Sequence, residues 1–131
     1  MSQSEFTWSF VKEGNLSPNG FSFAGISANL KPSKNRDLAL LLAPKGSIFS
    51  GKFTQSTVRA SCVEICEQRI KKCSGLLRAI LINSGQANAC TGDIGSKHFL
   101  IATEKIAKLL GLKDEEVLMC STGVIGVPIQ I

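Results

Sequence analysis

The chain has 131 residues, enough for one domain, and a chain of about this length buries roughly two-thirds of its unfolded surface. Hydrophobic content of 44% and 19% charged residues describe an ordinary globular protein, with no apolar run near the roughly 20 residues a membrane span needs. The net charge of +5 comes from basic residues scattered from Lys12 to Lys113, and the chain has no Tyr and a single Trp, so neither a nucleic-acid patch nor a base-stacking platform is evident.

The start, Ser2-Gln3-Ser4-Glu5, lacks the basic-then-apolar pattern of an export signal. Phe6, Trp8 and Phe10 alternate as an edge strand would. Lys12 to Gly20 reads as a turn, with Gly14, Asn15, Pro18 and Asn19 supplying the turn chemistry. Phe21, Phe23, Gly25 and Ser27 predict a half-buried strand, and Lys31 to Arg36 a polar hairpin loop. Asp37 to Ala43 is a continuous apolar run, the pattern of a strand covered on both faces. Ser47 to Thr54 predicts another short strand after the Pro44-Lys45-Gly46 turn.

Val58 to Lys72 predicts a helix, because Cys62, Ile65 or Cys66, Arg69 and Cys73 recur at three-to-four spacing and Gly75 follows. The cluster Arg69-Ile70-Lys71-Lys72 suits the C-terminal end of that helix. Leu76 to Ile82 predicts a buried strand. Ser96 to Leu110 is the clearest helix, with Phe99, Ala102, Ile106, Ala107 and Leu110 as its inner stripe and Gly111 as terminator. Asp114-Glu115-Glu116 gives an acidic helical turn before a strand at Val117 to Cys120. Early strands followed by interleaved helices predict an α+β fold with a layered sheet.

Two glycine-bearing segments follow apolar runs, where a sheet is expected to stop and backbone amides to turn outward: Asn83 to Gly92 and Cys120 to Pro128. In the second, Thr122-Gly123 offers one backbone N–H and one hydroxyl or N–H to a single point, as a developing oxyanion requires. A strand-terminating turn with glycine at positive φ explains the same residues. In the first, small residues permit close approach of a ligand or backbone, and Asn88 and Thr91 could orient polar groups. Thr91 or Asp93 equally suits a helix cap, and Gly92 to Gly95 a weak phosphate cradle without either nucleotide-binding fingerprint.

The five cysteines lack C-x-x-C spacing and the only histidine is His98, so metal-site spacing is absent. Reduced, mostly buried thiols are the simpler expectation, for Cys90 and Cys120 too. His98 reads as a surface or partly packed residue.

Together these segments resemble the N-terminal part of the ornithine acetyltransferase family, the bifunctional glutamate N-acetyltransferases of arginine biosynthesis. The resemblance runs from Gly14 onward: Gly14 to Phe21, Ala24-Gly25-Ile26, Asp37-Leu38-Ala39-Leu40 and Phe53 to Val63 are similar to family motifs. Ser56 stands where Asn is usual and Cys62 where Pro is usual, differences of packing. Asn83 to Gly92 and Ser121 to Pro128 are the most specific matches.

The resemblance implies an αββα-layered sandwich of the acetyltransferase/aminopeptidase type, of which residues 1–131 are a single incomplete domain. It also implies a precursor that cuts itself in two, freeing an N-terminal threonine nucleophile that this chain lacks. That threonine takes an acetyl group from N-acetylornithine and passes it to glutamate, its own α-amine accepting the hydroxyl proton. Thr122 and Gly123 match the family's oxyanion hole. The implied partners are the missing second chain, further copies of the two-chain unit and these small substrates, with no nucleic acid and no membrane. No cofactor is implied beyond acetyl-CoA as an alternative donor for the parent enzyme, and a cytoplasmic location is expected. Alone, the chain is expected to be inactive and, with part of its sheet uncovered, to self-associate. A non-catalytic α+β module binding an acyl amino acid or a partner chain is the alternative.

Overall fold

The computed structural model describes residues 18–131, so the alternating Phe6, Trp8 and Phe10 and most of the 12–20 turn lie outside the described residues. The elements are β1 (Ser22–Ile26), β2 (Leu38–Leu42), α1 (Ser61–Lys72), β3 (Ala79–Gln86), α2 (Gly92–Leu110), a 3-10 turn (Asp114–Glu116) and β4 (Val117–Val124). The four strands form one sheet in the order β1-β2-β3-β4. β1–β2 and β2–β3 are antiparallel, whereas β3–β4 is parallel, with α2 carrying the crossover. The α+β class therefore stands, with one sheet and two helices among the described residues.

Strand alternation sorts the side chains onto two faces. Leu38, Leu40, Leu81 and Met119 share the face on which α2 lies, and Phe99 is the largest side chain fully buried in that core. Thr103 on the same helix is buried as well, its hydroxyl donating to the Phe99 carbonyl at 3.0 Å. Gly111 ends α2 at φ 65°, as its position predicted.

α1 does something the helical period alone did not reveal. Ala87 N–H donates to the Val124 carbonyl at 2.9 Å, so Val124 faces β3. In a parallel ladder, alternate residues turn their main-chain polar groups to the same neighbour. Thr122 and Cys120 therefore face β3 with Val124, and Val117, Met119 and Ser121 face the outer edge. The stripe of α1 meets those outward groups one after another. Arg69 donates to the Val117 carbonyl at 2.5 Å, Cys66 Sγ to the Met119 carbonyl at 3.3 Å, and Cys73 Sγ to the Glu115 carbonyl at 3.6 Å. The Arg69 guanidinium also lies 5.0 Å from the centre of the Phe99 ring. A sheet edge normally left as unpaired donors and acceptors is thus covered by one helix face.

Several boundaries differ from the sequence expectation. β1 is mostly exposed rather than half-buried, Phe23 keeping 53% of its surface, because it forms the far edge from α1. β2 is only partly covered on its two faces. Ser47 to Thr54 makes a single bridge, Ile48 to Leu76, because its partner segment turns through positive φ at Ser74 and Gly75 and offers no strand to pair with. α1 begins at Ser61, not Val58, since the hydroxyls of Thr54 and Ser56 accept the amides of Ser56 and Val58 and hold that stretch in local turns. α2 begins at Gly92, four residues early, so the Gly92 to Gly95 stretch is helix and not a loop cradle. Both sheet strands that end in the glycine segments run further than expected, β3 to Gln86 and β4 to Val124.

Candidate active site

The two glycine segments are not turns where the sheet stops. They are neighbouring strand ends, paired Asn83 with Ser121, Ser84 with Thr122, Gly85 with Gly123 and Gln86 with Val124. Gly85 has φ 141° and Gly123 φ 132°, conformations that side chains rarely adopt. A Cβ on Gly85 would sit 2.7 Å from the Leu30 carbonyl oxygen, and one on Gly123 would collide with the Gly85 carbonyl group. The glycines therefore let three backbone layers approach: the 28–31 loop, β3 and β4.

Asp37 fixes the first of those layers. Its buried carboxylate accepts N–H groups from Ala28 at 2.6 Å, Leu30 at 2.7 Å and Lys31 at 3.0 Å. The Ala28 amide foremost, then those of Lys31 and Leu30 and the Lys31 charge, hold the carboxyl below its ordinary value against the opposing effect of burial. Gln86 adds a second tie, its Nε2 donating to the Leu30 carbonyl at 3.1 Å. Asn83 Nδ2 donates to the Gln86 carbonyl at 3.0 Å, locking the strand end itself. Asn88 and Thr91 orient each other, the Thr91 hydroxyl donating to Asn88 Oδ1 at 3.2 Å, and Gly95 leaves room for both. Thr91 occupies the N-cap position without a side-chain capping bond.

Thr122 and Gly123 are both exposed at the end of this assembly. Strand parity turns the Thr122 N–H toward β3, so what Thr122 can offer is its hydroxyl. Gly123 lies two residues past Ser121, where the covering stripe of α1 has ended at Cys62. The Thr122 side chain stands on the sheet face opposite α2, in a hollow of about 250 Å³ with Arg36, Ile82 and Ser84. Gly123 borders a second hollow of about 410 Å³ with Lys31, Ser84, Gly85 and Gln86. Ser84 borders both.

The other sequence candidates are elsewhere. His98 is partly packed on α2, with no shared hollow with Thr122. Cys90 and Cys120 are exposed, contrary to the expectation of buried thiols, because each lies on a surface that no helix covers; Cys62 and Cys66 are buried as expected. Burial pushes the Cys66 thiol up to about 11 and raises Cys62 as well, which suits packing and hydrogen bonding better than nucleophilic attack. Among the described residues, no group of three or more His, Cys, Asp or Glu could hold a metal ion. Lys31 and Asp37 carried no site signal of their own in the sequence: Asp37 stood only within a matching motif and Lys31 within a polar loop, whereas Ser84 lay inside the Asn83 to Gly92 segment.

A profile of the ArgJ family matches residues 22–131. An arginine biosynthesis bifunctional protein ArgJ from Prochlorococcus marinus strain MED4 is 70% identical over 121 residues, covering 92% of this chain and 30% of that protein. A Nostoc protein of the same description, ArgJ 1, is 45% identical over 124 residues, covering 95% and 30%. Among solved structures, ornithine acetyltransferase from Mycobacterium tuberculosis, complexed with ornithine, is 36% identical with a TM-score of 0.80, covering 86% of this chain and 61% of that one. The Bacillus halodurans ArgJ structure is 31% identical with a TM-score of 0.79, covering 85% and 57%. The chain spans about 30% of the length of the curated relatives it matches.

Proposed function

The chain belongs to the ArgJ family, and from that premise we propose that it supplies the oxyanion hole of an acetyltransferase working in arginine biosynthesis. The reaction is transfer of an acetyl group from N-acetylornithine to glutamate. The attacking threonine comes from the remaining part of the protein, freed at the N-terminus of a second chain by self-cleavage. Its hydroxyl adds to the amide carbonyl of the donor, and its own amine takes the hydroxyl proton. As the tetrahedral intermediate forms, the carbonyl oxygen becomes negative. Thr122 donates to it through Oγ1–H and Gly123 through N–H. Expulsion of ornithine leaves an acetyl-threonine ester, which the amine of glutamate then attacks through a second intermediate held in the same way. Within this mechanism the remaining part of the protein is a partner, assembly of further two-chain units is expected, and the five free thiols suit a cytoplasmic setting.

What supports the reading most is the exposed Thr122-Gly123 pair at the strand end, held by a backbone that only glycines permit. Such donors act through preorganisation, and losing one typically costs ~10²–10³ in turnover. The test is acetyl transfer by this chain co-expressed with the remaining part of an ArgJ relative. Thr122→Val keeps shape and β-branching on an exposed site, and we expect it to lower kcat by roughly 10²–10³ with little change in KM. Unchanged turnover would overturn the assignment. Proline at 123 is not a clean probe, because the φ of 132° there is closed to it.

A further inference from the structure

Gln86 joins three contacts that neither the family match nor the oxyanion reading uses. Its Nε2 donates to the Leu30 carbonyl at 3.1 Å, and its own carbonyl accepts from Asn83 Nδ2 at 3.0 Å. Its amide nitrogen stands directly against Gly123, 2.7 Å from where a Cβ would be. Ser84 and Gly85, enclosed between Asn83 and Gln86, are the ladder partners of Thr122 and Gly123.

Leu30 belongs to the loop whose amides the Asp37 carboxylate holds, so its carbonyl is a fixed point. Gln86 ties the end of β3 to that point through a side chain, across 56 residues of sequence, and the Asn83 side chain closes the same stretch from its other end. Both side chains are buried, and their amide oxygens, Asn83 Oδ1 and Gln86 Oε1, have no hydrogen-bond partner among the described residues. A buried acceptor left without a donor lowers stability. An apolar side chain of the same length would fill the space without that loss, so packing does not explain an amide at 86. The bond donated to Leu30 does.

We infer that Gln86 is a positioning residue for acetyl transfer, an inference that rests on the oxyanion reading above. It fixes the end of β3 against the 28–31 loop, and through Gly85 and its own amide it fixes the Thr122-Gly123 pair at the spacing the reacting oxygen requires. It acts through the backbone of its neighbours, and no bond forms or breaks at it. Placement of this kind matters because a shift of about 1 Å, caused far from the chemistry, can lower a rate by up to ~10²-fold.

The experiment uses the chain co-expressed with the remaining part of an ArgJ relative. Gln86→Met keeps the length of the side chain and removes both its N–H donors and its unpaired oxygen. The expected result is a kcat lowered roughly tenfold, an unchanged KM for N-acetylornithine and a urea midpoint unchanged or raised. In a Thr122→Val background the same substitution should lower kcat less than about threefold, because one of the donors it orients is already gone. An unchanged kcat, the same factor in both backgrounds, or a loss accompanied by a lowered midpoint would overturn the inference, the last by making Gln86 a residue of the fold alone. Unchanged turnover in Thr122→Val alone, or no acetyl transfer by the unsubstituted enzyme, defeats the oxyanion reading instead. Amide hydrogen exchange at Gly85 and Thr122 then decides the positioning: faster exchange in Gln86→Met at unchanged global stability supports it, and unchanged exchange overturns it.

Discussion

The Cβ that Gly123 lacks would land on the carbonyl of Gly85, its partner across the parallel β3–β4 ladder. Both residues also hold a positive φ, so an alanine at either position carries backbone strain and a collision together. We expect Gly123→Ala or Gly85→Ala to cost about 2–5 kcal/mol. Gly46 is the control: its φ is 87° but nothing lies within 4 Å of its would-be Cβ, so alanine there should cost only about 1–2 kcal/mol. Urea midpoints of the three variants check this. Equal shifts would mean that close approach plays no part.

Asp37 makes stability depend on acid. Its folded-state pKa lies below the unfolded value, mainly through the Ala28 amide, so the carboxylate's contribution is complete above the unfolded value. It declines as pH falls past that value and through the lowered folded one. Asp37→Asn should therefore be less stable at neutral pH and show a flatter loss of stability between about pH 5 and 2. Thermal midpoints measured across that range give the comparison, and parallel acid profiles for the two proteins would contradict it.

Arg69 is buried, donates to an outward carbonyl of β4 and lies over Phe99. Replacing it with methionine keeps much of the apolar stem but orphans the Val117 carbonyl and removes the cation from the ring. A loss of about 2–3 kcal/mol is expected. Denaturant unfolding provides the measurement; a change under about 0.5 kcal/mol, the size of an ordinary surface substitution, would contradict this role.

Thiol labelling should follow the structure. Cys90 is exposed, whereas Cys66 is buried, donates to Met119 and has its pKa pushed up to about 11. Partial alkylation near pH 8, read by mass spectrometry of peptides, should modify Cys90 early and Cys66 last. Early labelling of Cys66 in folded protein would show that α1 does not sit against β4 as described.

Much of this fold was legible in the sequence where a local period decides it. The α2 stripe centred on Phe99 and the terminating Gly111 needed only one helix to be read, and the α1 stripe was visible as spacing. Its purpose was not. Cys62, Cys66, Arg69 and Cys73 look like an ordinary apolar face until β4 is placed beside them. The strand ends at 83–86 and 121–124 were misread as turns because glycine usually interrupts a strand. Here two glycines distant in sequence face each other, and only the pairing explains them. The Thr122-Gly123 pair was open locally to two meanings. Parity along β4 turns the Thr122 N–H toward β3, which leaves Thr122 its hydroxyl to offer. Lys31 and Asp37 were silent because their relation to the strand ends is wholly tertiary.

The row of thiols and guanidinium along α1 has a further effect. Exposed strand borders recruit other chains, and here every outward carbonyl from Glu115 to Met119 already has a donor from the helix. Fibril-like stacking on that border is blocked by side chains rather than by another strand. Among the described residues the guard gives out just before Gly123, so that stretch of border is left without a donor from the helix.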